Sequence, residues 1–451
     1  MWRWFLVKRR LDMASLVLIT CVGLHVPRSF WLLYGFAALV AWRTSCHRGW
    51  LSEPADQRIS YGLLQLAGFL IALFSLSYVV AMWLWHFWSW PGDVKDSANA
   101  LFLPALMYFS GLRAAGLPRI WSSRLLVMYG LGGLVFTLAA LAVSREPWWD
   151  TSISFYPAID IAWGGHISLN VRSVEQNAYP ALLMVAPALL LWLQKPCRYS
   201  RWLAAFMMFS SILGAHSLLS LQGRLGWLAL LLSLAPLIIL AARWWIVHYR
   251  LSLYVLLVTA GIACTSLVYG LTSSHHLSEI WGDGFCDERL AVFGAVLERL
   301  LDAPFGGRLL TFFFQICGNG GFRLLSPTGS SSGGHINLVH NVFLDVFYTT
   351  GLLPALLLLA AVIMVVVPLL RSAYMSFRSC GWQAPASWDW QWTLRWGWLC
   401  LLACQWMFQP LLYSDGLLFY FSFFVMGLFA SEASRSLRSG MAESSLYRLL
   451  D

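Results

Sequence analysis

Two histidines, His335 and His340 in HINLVHN, stand directly ahead of an apolar run from Asn341 to Leu370 that is long enough to cross a bilayer. A side chain that titrates near neutral pH therefore sits at the mouth of a membrane segment. Helical spacing puts Asn341, Asp345 and Tyr348 (i, i+4, i+7) on one face of the first two turns, beneath His340. An ionisable group such as Asp345 inside a span is costly in lipid and usually faces a cavity, which makes the stripe a candidate for binding or proton transfer. A plainer arrangement has the same residues: His340 caps the helix and Asp345 snorkels back to water. The residues alone leave both open.

Three stretches, taken in order, resemble a known family. HNVFLDVFYTTGLLPALLLL is similar to the His-Asn, acidic-or-polar, Gly signature of the O-antigen ligase and O-antigen polymerase superfamily of membrane glycosyltransferases. SLQGRLGWLALLL, with Arg224, is similar to that family's Ser-Arg-Gly segment opening a membrane helix. DERLAVFGAVLERLLDAPFGG, with Arg289, is similar to the Arg-containing helix ahead of its Pro-Gly turn. The resemblance covers roughly Ser220 to Leu370. Two departures stand in it: Gln222-Gly223-Arg224 replaces the usual order, and Arg308 follows Gly306-Gly307 where Gly-x-Gly is common.

The resemblance implies a glycan donor carried on undecaprenyl pyrophosphate and transferred to an acceptor hydroxyl at the periplasmic face of the bacterial inner membrane. The acceptor is the lipid A-core for a ligase and the growing glycan for a polymerase, and the His-Asn signature with the large loop before it resembles the ligase branch more. No metal and no cofactor is expected, because pyrophosphate is already a good leaving group and guanidinium forks can hold its growing charge. Arg224 and Arg289 are the candidates for that task, and His340 for general base or orienting group at the acceptor hydroxyl. Asn341, Asp345, Arg308 and Arg172 are further candidates for contacting substrate. Each arginine also has a plain role open to it, as an interface anchor for Arg224 or as a partner of Asp283, Asp287 and Glu288 for Arg289. Asp160 and Glu175 either hold an acceptor sugar or solvate a loop.

The elements that must position these groups follow from composition. With 59% hydrophobic and 11% charged residues in 451, the chain lies far outside the soluble range, where about a quarter are charged. Mean hydropathy is +0.66. The 26 Trp suit the membrane interface, where the ring is buried and the N–H stays wet. Apolar runs fall at 11–26, 29–42, 59–85, 98–115, 124–143, 178–194, 201–221, 225–242, 251–271, 341–370, 394–413 and 416–431. The basic start MWRWFLVKRR precedes a run without a small-residue cleavage site, which reads as a first span and not as a signal peptide.

The expected architecture is an all-α polytopic bundle of about 12 spans, forming a single transmembrane domain over residues 1–451. With the N-terminus inside, inner segments hold 21 of the 30 Lys and Arg but only seven of the 21 Asp and Glu, so both termini are expected in the cytoplasm. The basic charge then reflects topology, and no nucleic-acid partner is implied; the expected partners are membrane lipids, the lipid-linked glycan and the acceptor. Two outer loops are long, 144–177 and 272–339. The larger is expected to be periplasmic and partly helical and to carry part of the active site. Its apolar stripe Leu290, Phe293, Val296, Leu297 and Leu300 predicts a helix lying on the bundle.

The Gly/Ser-rich stretch 326–334 is either a lid hinge or slack. Of nine Cys, Cys286 and Cys317 fall in this loop, in an oxidising compartment, and are expected to pair. No phosphate-cradling P-loop, dinucleotide fingerprint, HExxH or paired CxxC occurs, which argues against an ATP-driven pump or zinc enzyme. A secondary transporter or lipid flippase is the rival from another class. Against the transporter, no half-to-half repeat is visible and polar groups gather at the outer edge.

Overall fold

The computed structural model describes residues 2–26, 29–45, 57–84, 94–143, 159–162, 166–169, 171–194, 198–220, 224–248, 288–298, 312–315, 322–325, 339, 341–380, 390–408 and 416–448. The described residues are almost entirely helical. In order the helices are α1 (Trp2–Gly23), α2 (Ser29–Ser45), α3 (Gln57–Leu84), α4 (Val94–Ala114), α5 (Arg119–Val143), α6 (Val171–Leu182) and α7 (Val185–Gln194). They continue with α8 (Arg198–Ser220), α9 (Arg224–His248), α10 (Glu288–Glu298), α11 (Val342–Thr350), α12 (Leu352–Cys380), α13 (Trp390–Phe408) and α14 (Gly416–Arg448).

Every apolar run of the sequence overlaps a helix among the described residues except 251–271, which lies outside them. Among the described residues, four helices are long and apolar enough to cross a membrane: Gly62–Leu84, Arg119–Ala139, Leu352–Ser372 and Gly416–Arg435. The protein is therefore a membrane protein by the length and composition of its helices.

Two expectations need correction. The run 341–370 is two helices, because Gly351 adopts φ 100° and its N–H bonds the Phe347 carbonyl at 2.8 Å, ending α11 before α12 begins. The run 178–194 is likewise split at Leu183 and Met184, where the freed Leu182 carbonyl accepts from Ser211 Oγ at 2.8 Å. The all-α class holds for the bundle, with two short hairpins beside the helices. Within the two long loops, β1 (Ile159–Ala162) pairs antiparallel with β2 (His166–Leu169), and β3 (Phe312–Gln315) with β4 (Phe322–Leu325).

The central helix is α14, whose span is 89% buried against 33% for that of α12. Leu353, Leu356, Ile363, Val367 and Leu370 leave α12 with an exposed apolar face suited to lipid. Close approach around the centre depends on glycine. A methyl group on Gly111 of α4 would collide with the Phe424 carbonyl of α14, and one on Gly427 with the Tyr108 carbonyl. Small residues of this kind let membrane helices meet backbone to backbone, where no hydrophobic effect drives them together.

One end of the bundle is closed by a buried ion pair. Arg395 Nε donates to Glu432 Oε2 at 2.5 Å and Nη2 to Oε1 at 3.0 Å, and both side chains are only 11% exposed. The remaining donors reach Ser123 Oγ at 3.0 Å, the Gln391 carbonyl at 3.0 Å, Ser122 Oγ at 2.8 Å and the Arg119 carbonyl at 3.2 Å. The guanidinium thus ties α13 and α14 to the first turn of α5. At the same end, Arg435 donates to the Ala115 carbonyl at 2.7 Å and Arg43 pairs with Asp12 at 2.7 Å.

Replacing Arg395 with Met leaves Glu432 buried without its partner, and the expected loss is roughly 3–5 kcal/mol. The double variant Arg395→Met with Glu432→Leu removes both charges and recovers most of that loss. Thermal unfolding of purified protein in detergent checks both, and a single variant as stable as the parent contradicts the assignment.

Candidate functional site

The opposite end is organised by Asn341. Its backbone is extended (φ −146°, ψ 122°), and its side-chain oxygen accepts from the Phe343 and Leu344 N–H groups, both at 3.1 Å, capping α11. Its Nδ2 donates to the Met407 carbonyl at 3.2 Å, one of the last carbonyls of α13 that have no partner within their own helix. Asn341 therefore caps two helix ends at once. The Phe343 and Trp406 rings, 5.7 Å apart, extend the same contact.

Asp345, one turn on, folds back toward the cap. Its Oδ1 accepts from the Val339 N–H at 2.6 Å, and the residue is 1% exposed. Its Oδ2 is buried and has no hydrogen-bond partner among the described residues. Tyr348 is buried equally, so all three residues expected on one face are inside the protein. The structure corrects the plainer arrangement: Asn341, not His340, is the N-cap, and Asp345 does not snorkel. His340 itself lies outside the described residues, but the chain on both sides of it is pinned, Val339 by Asp345 and Asn341 by Met407.

Arg289 is the second residue of α10, which packs on α11. Val292 and Val296 are buried in the same core as Val339, Val342 and Val346. The helix lies on the bundle as its periodicity predicts, but its buried face is rotated from the expected stripe: Val292 is inside and Leu297 is 54% exposed. Arg224 opens α9 and Arg172 is the second residue of α6. The side chains of Arg172, Arg224 and Arg289 are outside what is described, as are Glu175 and Asp160, the latter on β1. Arg308, His335, Cys286, Cys317 and the stretch 326–334 lie outside the described residues altogether.

Neighbouring helices set the level of each start. Gly133 of α5 meets Asn177 of α6 and Gly130 meets Pro180, so these two run antiparallel. Gly214 of α8 touches Ala178, Ala181 and Leu182 of α6. Trp398 of α13 packs on Tyr129 of α5 with centroids 5.7 Å apart. Carried along at 1.5 Å per residue, these contacts bring the start of α6, the end of α8, the start of α9 and the last turns of α13 to one end of the bundle. Arg172 and Arg224 thus open helices at the Asn341 end, away from the Arg395–Glu432 end.

Three polar residues at this level escape a reading of the sequence. Gln176 and Asn177 on α6 and Gln405 on α13 are completely buried. The only available signal was a lone Gln inside the apolar stretch CLLACQWMF and a Gln-Asn pair ahead of a span. No protein-family model matches the chain, and no curated protein matches it.

Replacing Asn341 with Ala removes the cap and the tie to Met407, with an expected cost of about 1–2 kcal/mol. Asn341→Ser keeps a cap acceptor and should lose less. Unfolding temperatures in detergent, ranked parent, Ser, Ala, check this; equal values contradict the double-capping role.

Proposed function

We propose that this chain is a metal-independent membrane glycosyltransferase of the O-antigen ligase and polymerase superfamily, transferring a glycan from undecaprenyl pyrophosphate to the lipid A-core. In this reading the bundle has 12 spans in the bacterial inner membrane, with both termini cytoplasmic and the Asn341 end at the periplasmic face. The loop 272–339 lies over that end and contributes Arg289 and Arg308.

The observation that carries the reading is the double anchor around His340. Val339 is held by Asp345 and Asn341 by the Met407 carbonyl, so the backbone on either side of the histidine is set in place. The helix bearing Arg289 packs on the helix that follows it. A cation-bearing helix, and a buried carboxylate that holds the residue ahead of the histidine, suit a reaction that needs positioning and charge more than covalent chemistry.

The step is a displacement at the anomeric carbon. The acceptor hydroxyl oxygen forms the new C–O bond while the bond from that carbon to the pyrophosphate oxygen breaks. The electron pair leaves with the pyrophosphate, whose charge Arg224 and Arg289 hold, with Arg172 and Arg308 as further cations. The hydroxyl proton passes to His340, and Asn341 and Asp345 fix the histidine's setting.

Lys keeps the charge of Arg but lacks its bidentate fork, so Arg224→Lys and Arg289→Lys should each lower transfer roughly tenfold or more with folding intact. The double variant should lose less than the product of the two if both hold one pyrophosphate. His340→Ala should lower turnover by roughly 10². Interface anchors behave differently, because Lys snorkels as well as Arg. Wild-type rates for both Lys variants and for His340→Ala, on a lipid-linked donor in detergent, overturn the proposal.

A further inference from the structure

Gln405 has no role in the fold that its surroundings account for. It is completely buried on α13, and neither its Nε2 nor its Oε1 has a hydrogen-bond partner among the described residues. A buried carboxamide left unpaired costs free energy on both its donor and its acceptor side, and apolar residues of similar volume avoid that cost. Its neighbours on the same helix are fully used: the Trp406 N–H donates to Ser422 Oγ at 3.2 Å, and the Met407 carbonyl accepts from Asn341. One residue from the first and two from the second, Gln405 shares a helical turn with the anchor of the candidate site. A second unpaired group, Asp345 Oδ2, stands on α11, which packs on α13.

The chemistry of these two groups selects the ligand. A phosphate or carboxylate can accept from Nε2 but gives nothing to Oε1 or to a carboxylate oxygen. A hydroxyl does both, donating its proton and accepting through its oxygen, and a sugar offers several on adjacent carbons. We propose that Gln405 is a sugar-binding residue of this site, its carboxamide exchanging hydrogen bonds with the hydroxyl groups of a glycan while Asp345 Oδ2 accepts from another. This deepens the transferase reading and rests on it for the identity of the site. It assigns the carbohydrate, and not the pyrophosphate, to the α11–α13 side.

The test uses the full chain in detergent micelles, with methyl glucoside, methyl galactoside and N-acetylglucosamine as probes and inorganic pyrophosphate as the anionic control. Saturation-transfer NMR reports sugar binding. Gln405→Met fills the same volume without polar atoms and should unfold no earlier than the parent, yet bind the best of the three sugars roughly tenfold more weakly. Gln405→Glu keeps only acceptors and should fall between. Pyrophosphate affinity should be the same in all three proteins. Equal sugar affinity in parent and Gln405→Met overturns the inference, as does parent protein that binds none of the sugars.

A loss of stability in Gln405→Met with unchanged sugar affinity also overturns it, since that is the behaviour of a residue holding a buried water. Should Gln405→Met not fold, the comparison of parent with Gln405→Glu decides on the same criterion. Glycan transfer with Gln405-independent sugar binding sinks this inference and leaves the transferase standing. Gln405-dependent sugar binding without any transfer does the reverse.

Discussion

In hydrocarbon there is no water to complete a polar group's hydrogen bonds, so a bundle must satisfy each one internally or keep it for a ligand. Arg395 meets that constraint at one end of this protein. Its guanidinium spends its donors on Glu432, two serines and two helix carbonyls, and in doing so holds α5, α13 and α14 in one arrangement. Arg43 with Asp12 and Arg435 with the Ala115 carbonyl make the same kind of closure nearby. The Arg395–Glu432 pair is thereby fully engaged, although Arg43 Nη1 and Trp121 Nε1 nearby are buried without a partner among the described residues.

The other end is built from the same materials to a different result. Asn341 closes two helix termini with one side chain, and Asp345 uses one carboxylate oxygen to hold Val339. The second oxygen and both polar atoms of Gln405 are left over, buried and unpaired among the described residues. Because α13 carries Arg395 near its start and Gln405 near its end, a single rigid helix connects the locked end with the unsaturated one. Trp398 lies between them, packed on Tyr129 and Phe421, so the distance from lock to site is set by stacked rings.

Much of the fold was legible in the sequence because membrane helices announce themselves by long apolar runs, and α3 and α5 follow those runs closely. What remained hidden depended on single residues or on contacts distant in sequence. Gly351 ends α11 through a backbone conformation that hydropathy does not register. Asn341 precedes a helical run, as a cap should, but its spacing to Asp345 made it look like part of a stripe. Leu297 and Val292 exchanged places because a short amphipathic helix leaves its phase uncertain by a residue. Arg395 and Glu432 are 37 residues apart, and no spacing rule joins them. Gln405 was lost in a span because one amide barely alters the hydropathy of an apolar helix.

The claim that most needs a direct test is that this bundle catalyses transfer and does not merely move a lipid. Purified protein in detergent, with no membrane and no gradient, should be given a labelled glycan on undecaprenyl pyrophosphate together with lipid A-core, and the product followed by gel mobility. The account predicts a labelled conjugate and released undecaprenyl pyrophosphate in equal amounts. An intact donor after long incubation with folded protein and acceptor contradicts it.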